Sequence, residues 1–324
     1  MPLIFLCGFV AIALWSLVEH RFERYGVAGP AALTLAGAVL VFIDVDGFAE
    51  AAAGDAAEHV VELILAVLLF VDACEVRGGV FGGEGRAVAR LVLMALPLSL
   101  LAVVLSGVWM LPQLNVFVLL VIACVVMPTD FSPAATLLRS PWIPLAFGTA
   151  TVSTITANGF VAAFVAGILY RLMRTRGTVE HTIPHTEVML VEEVGTLAAN
   201  LVWFVLGAMT VVVVLDGFDP RLLLVALLAL TVFRVVPVYV SMLGSSVSWR
   251  DRTALGFIGP RGTATIVFGL LAFAKLPEPE AYDVLAVMVF TVVGSIALHG
   301  VLAPQIVRRR MPRAESSAAS TDHL

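Results

Sequence analysis

Nine long apolar runs dominate the chain, at about residues 2–18, 28–45, 60–76, 91–110, 115–137, 196–215, 222–243, 254–275 and 282–303. Each approaches the roughly 20 residues a helix needs to cross the hydrocarbon of a bilayer. Peptide groups in lipid must bond within their own segment, so runs of this length are read as helices. Barrel strands would be shorter and alternating. Composition agrees: 60% of the 324 residues are hydrophobic and 13% charged. A soluble domain has about 45–50% and 25%. Mean hydropathy is +1.02. A soluble fold is excluded, and the sequence predicts an all-α polytopic membrane protein. The net charge of −5 gives no footing for nucleic acid. Cys7, Cys74 and Cys124 all sit in apolar runs without a C-x-x-C spacing, so neither a disulfide frame nor a metal site is expected. No cofactor motif occurs. Residues 2–18 lack a basic leader and a small-residue cleavage site and are read as a first membrane helix.

Basic residues orient the spans, because cytoplasmic loops collect Lys and Arg. With the N-terminus outside, Arg21, Arg24, Arg77, Arg86, Arg90, Arg139, Arg171, Arg174, Arg176, Arg250, Arg252, Arg308, Arg309, Arg310 and Arg313 all fall inside. That is fifteen of the nineteen Lys and Arg residues. The acidic loop of Asp46, Glu50, Asp55 and Glu58 falls outside. Both ends of the stretch 141–172 are then cytoplasmic, which requires an even number of crossings. Two crossings of about 14 residues reach roughly 21 Å each at 1.5 Å per residue, short of a hydrocarbon core about 30 Å thick. The expected hairpin is therefore re-entrant or strained, and the total is about eleven membrane segments. Residues 1–304 form the membrane domain, and 305–324 form a polar, disordered cytoplasmic tail.

Asp130 is the only acid in a proline-broken span, with Pro128 and Pro133 around it. Proline removes a helix hydrogen bond and crowds the carbonyl four residues back. A break in a membrane helix frees carbonyls and helix ends that coordinate ions. Asp130, with the hydroxyls of Thr129 and Ser132, could hold a small hard cation or a proton. It could equally cap half of a broken helix. Arg261, between Gly259-Pro260 and Gly262, is a costly charge inside a span. It either compensates the ion-site carboxylate or clamps carbonyl groups. Arg234 reads as structural. His181 and His185 share a loop with Glu187, with Pro184 between them, which argues against a metal pair.

Several segments resemble the cation/proton antiporters of the sodium/proton exchanger superfamily. They are Glu19-His20-Arg21 onward to Gly29-Pro30, Leu69-Phe70-Val71-Asp72-Ala73, Met127-Pro128-Thr129-Asp130, and Asn158-Gly159-Phe160 onward to Gly167. Leu201-Val202-Trp203-Phe204 onward to Ala208, Gly259-Pro260-Arg261-Gly262, and Ser295 with His299-Gly300 follow in family order. The resemblance implies a helical bundle with broken helices, a homodimer in the plasma or inner membrane, and alternating access for Na+ or K+ against protons. It implies Asp130, Thr129 and Ser132 at the ion site and Arg261 as compensating charge. Gly294 and Ser295 would lie on the interrupted helix paired with that of Asp130, although Gly and Ser also serve ordinary packing. One departure is large. Nothing matches the family's helix bearing an Asn-Asp or Asp-Asp pair, and about two helices are absent between Arg139 and Asn158. Thr149, Thr151, Ser153, Thr154 and Thr156 stand there without a titratable group. Proton-coupled exchange is therefore expected to be weak. The other reading is a non-transporting paralogue or fragment with an assembly role.

Overall fold

The computed structural model describes residues 3–23, 28–75, 90–127, 159–175, 185–245, 248–249, 252–253, 256 and 261–310. No strand occurs among them. Helix α1 spans Leu3–Glu23. Helix α2, Gly29–Leu40, opens with Pro30 in its first turn, where the missing N–H costs nothing. Its 3-10 extension, Val41–Ile43, ends at Asp44. There the chain bends by 114° into α3, Val45–Ala52. The Asp44 carboxylate accepts the Gly47 N–H at 3.0 Å, a cap that starts a new helix rather than continuing the old one. Helix α4 covers Asp55–Glu75.

A π-helical turn, Leu91–Ala95, leads into α5, Leu96–Met110. Pro97 explains the wide turn, since its ring crowds the carbonyl four residues earlier. Helix α6, Val116–Val126, is capped by Asn115, whose side chain accepts the Val118 N–H at 3.0 Å. It stops at Met127, whose ψ of 112° is extended, as a residue before proline prefers. Helix α7 is Gly159–Thr175 and α8 is His185–Asp216. Helix α9, Pro220–Leu230, is capped by Asp219 and passes through a kink at Thr231 into α10, Val232–Ser241. Helices α11, Thr263–Lys275, and α12, Glu280–Arg310, complete the described chain.

Four helices among the described residues are long and apolar enough to cross a bilayer: Leu93–Met110, Met189–Asp216, Pro220–Ser241 and Glu280–Leu298. The bent α2–α3 pair makes a fifth. Helices α6 and α11 differ. Their 11 and 13 residues reach about 16 and 20 Å at 1.5 Å per residue, roughly half to two thirds of a crossing.

Helix α8 is the central post, packed against α2, α4, α11 and α12. It meets α2 through two reciprocal glycines. A Cβ on Gly37 would strike the Phe204 carbonyl, and one on Gly207 the Thr34 carbonyl. Thr34 Oγ1 adds a bond to the Trp203 carbonyl at 3.3 Å. Small residues bring membrane helices this close because dispersion and polar contacts replace the hydrophobic drive. Helix α4 packs on α7 at Gly167, whose absent Cβ leaves room for the Phe70 carbonyl. Phe204, Leu206, Met209, Ile266, Val267 and Val284 are among the most buried core side chains.

Three boundaries differ from the sequence reading. Helix α8 begins eleven residues before the apolar run at 196, so His185 is the first residue of a helix rather than part of a loop; its membrane-length apolar span begins at Met189. Helix α12 continues to Arg310, six residues into the expected tail, where Gln305 and three arginines are good helix formers. Of the hairpin stretch 141–172, residues 141–158 lie outside the described residues, and Gly159 onward belongs to the single helix α7.

Candidate ion-binding site

The two short helices each have one end in the buried core. Helix α6 ends at Met127, which is 3% exposed and part of the main core. Helix α11 begins after Gly262, whose φ of −115° and ψ of −163° are extended. The two helices pack on each other, and both pack on α12. A helix ending inside a membrane leaves its last carbonyls, or its first N–H groups, without intrahelical partners. The end of α6 is therefore the negative pole of a helix dipole and the start of α11 the positive pole.

Arg261 sits directly before α11 and is 2% exposed. Its backbone N–H donates to Ser295 Oγ on α12 at 2.8 Å. Its Nη2 donates to the Ala229 carbonyl at 3.4 Å, one of the last four carbonyls of α9. The guanidinium thus lies at the C-terminal end of α9, where the dipole favours a cation. Just beyond, Thr231 interrupts the helix with φ −113° and ψ −85°, and its hydroxyl donates to Leu227 O at 2.7 Å. Gly294 lets α12 approach this end closely: a Cβ there would come within 3.0 Å of Leu230 Cδ1. Thr291, fully buried one turn before Ser295, donates to the Val287 carbonyl at 2.7 Å.

Arg261 and Ser295 are therefore bonded directly, and Gly294 lies against Leu230 beside them. Of the two roles left open for Arg261, the carbonyl contact is observed. Asp130, Thr129 and Ser132 lie outside the described residues, as do Thr149 to Thr156 and His181. One assignment changes. Helix α12 runs unbroken through Gly294 and Ser295, so the expected interruption is not there. It lies at the start of α11, behind Gly262. Gly and Ser interrupt hydropathy without interrupting a helix, whereas Pro260 removes a donor and Gly262 releases the backbone. The kink at Thr231 and the carbonyl of Ala229 were missed; Pro237, inside α10, was the available signal. Asp72 is exposed on α4. No group of three His, Cys, Asp or Glu side chains among the described residues could hold a metal.

A family model, the transmembrane sodium/hydrogen exchanger, matches residues 141–309, just over half of the chain. Among solved structures, the chain is similar to the sodium proton antiporter MjNhaP1 from Methanocaldococcus jannaschii at pH 8. The identity is 16% and the TM-score 0.66, over 93% of this chain and 100% of that one. At that identity the likeness establishes the fold. No curated protein matches the chain. With the antiporter fold and the family match over just over half of its length, the chain belongs to the sodium/hydrogen exchangers, multi-pass membrane transporters rather than enzymes.

Proposed function

We propose that this chain binds a monovalent cation, Na+ or K+, in competition with protons at the meeting point of α6 and α11, and exchanges the two by alternating access. The observation that carries the reading is that the short helices α6 and α11 pack on each other and on α12, each with one end buried and Arg261 just before the buried end of α11. Such half-helix ends near mid-membrane are where transporters hold substrate and coupling ion. Asp130, four residues past the end of α6, supplies the carboxylate, and Thr129 and Ser132 supply hydroxyl oxygens. Arg261 anchors α9 to the start of α11 and offsets carboxylate charge. The chain works as a homodimer in the plasma or inner membrane, N-terminus outside and C-terminus cytoplasmic. Exchange is slow, because the segment 141–158 offers no second carboxylate to take the proton.

Purified protein in liposomes with an internal pH dye tests this. Saturable proton efflux driven by Na+ or K+, lost in Asp130→Asn, supports antiport. Folded protein that moves no protons under either gradient supports the second reading, a structural partner in assembly. That reading draws on the same missing carboxylate.

A further inference from the structure

A cavity of about 300 Å³ lies against the C-terminal half of α11, the end remote from Arg261. Its walls come from five helices: Phe9 of α1, Phe48 of α3, Ile64 of α4, Val202 of α8 and Leu270 of α11, with Glu58 as the single charged lining residue. That volume lies at the lower end of ligand pockets, roughly 300–1,000 Å³. It could hold about ten waters at their liquid volume of roughly 30 Å³ each, but walls without polar partners do not retain them. Phe9 is 54% and Val60 48% exposed. Both line the cavity, so in a membrane-embedded helix pair its mouth faces lipid. At the rim Lys275 pairs with Glu58, and with Glu62 at 3.7 Å. Asp55 and His59 complete the first turn of α4. Three carboxylates against one lysine leave the rim net negative while still presenting one ammonium.

We propose that this cavity takes one acyl chain of a phospholipid whose headgroup carries a primary ammonium, such as phosphatidylethanolamine. The chain lies among the apolar walls and gains by leaving no void against α11. The headgroup ammonium donates to the Glu58 and Glu62 carboxylates, and its phosphate meets Lys275. An anionic headgroup meets the excess of carboxylates. A choline headgroup has no N–H to donate, and the lining residues nearest Glu58 form no aromatic cage for it. Because Leu270 and Ala274 belong to α11, the bound chain braces the half-helix whose other end carries the Arg261 junction. The inference goes beyond the transport reading and does not depend on it.

Native mass spectrometry of the detergent-purified full chain, titrated with dioleoyl phosphatidylethanolamine, phosphatidylcholine or phosphatidylglycerol, provides the test. Retention of the ethanolamine lipid at about fivefold lower concentration than either other lipid is expected, a factor worth about 1 kcal/mol. Ala57→Phe, which fills the cavity, should abolish that retention while leaving the melting temperature in lipid-free detergent unchanged. Glu58→Gln combined with Glu62→Gln should keep a lipid adduct but lose the headgroup preference, and it serves even where the phenylalanine variant does not fold. Equal retention of the three lipids by the unmodified chain, undiminished retention by folded Ala57→Phe, or a preference that survives the double variant would each overturn the proposal.

Discussion

At the scale of single residues, the buried polar groups around Arg261 set the sharpest expectations. The Arg261 N–H is buried and donates to Ser295 Oγ. Ser295→Ala leaves that donor without its acceptor, and a stranded buried group costs about 1–3 kcal/mol. The variant should melt lower by an amount of that order in differential scanning fluorimetry, and a melting temperature equal to wild type would show that the bond carries no weight. Asp130→Asn preserves size but removes charge, so it should eliminate any Na+- or K+-dependent thermal shift, since a ligand bound only by the folded state stabilises it by mass action. His59 is the residue for pH. It sits in the first turn of α4, one residue before the apolar run, and its Nδ1 lies 2.6 Å from the Asp55 carbonyl. That bond, aided by the Glu62, Glu58 and Asp55 carboxylates, raises its pKa above the ordinary value. A raised histidine stabilises the fold fully below its ordinary pKa of about 6.5 and loses that contribution as pH climbs through the folded value. Melting temperatures measured from pH 6 to 8 should fall by a small increment that His59→Gln lacks.

At the scale of elements, glycine decides which helices can touch. Gly37 and Gly207 each face a carbonyl of the opposite helix with no space for a methyl group. Gly37→Ala or Gly207→Ala should push α2 from α8 and destabilise by about 3 kcal/mol, the upper end for overpacking. Gly195→Ala is the control. Its new Cβ would make ordinary contact with Val71 at 3.4 Å, so removing glycine from mid-helix should be neutral or slightly stabilising. Monodispersity in size-exclusion chromatography after heating separates the two outcomes. The same scale shows why the pairing of interrupted helices was read one helix too far along. Thr291, Gly294 and Ser295 dilute hydropathy, yet each keeps helical backbone on α12. Pro260-Arg261-Gly262 carries the residues that stop a helix, and α11 starts directly behind it.

At the scale of the whole molecule, relative helix directions are consistent with alternating crossings. Gly195 on α8 neighbours Val71 on α4, while Val202 and Ile64 share the cavity, so α4 and α8 run antiparallel. Phe273 stacks edge-on with Tyr282, and Gly269 faces Met288, so α11 and α12 do too. From the positive-inside pattern Arg139 and Arg174 are expected on one side. With Cys7, Cys74 and Cys124 replaced by alanine, Arg139→Cys and Arg174→Cys should both resist an impermeant thiol reagent added to intact cells. Labelling of one alone would mean an odd number of crossings between them.

Apolar run length was enough to read an all-helical membrane bundle, and proline positions to read a break in the run at 115–137, where α6 stops at Met127. These are local matters: a peptide group in lipid must bond within its own segment, and proline acts on the next turn. The sequence could not say that Arg261 reaches the Ala229 carbonyl across 32 positions, that Gly37 admits the Phe204 carbonyl, or that Asp44 turns a span into a pair bent by 114°. Nor could it show that five apolar faces fail to close around 300 Å³. Those depend on which helices approach, at what angle and at what depth. A one-dimensional pattern does not hold that information, because lipid accepts an apolar face as readily as a neighbouring helix does.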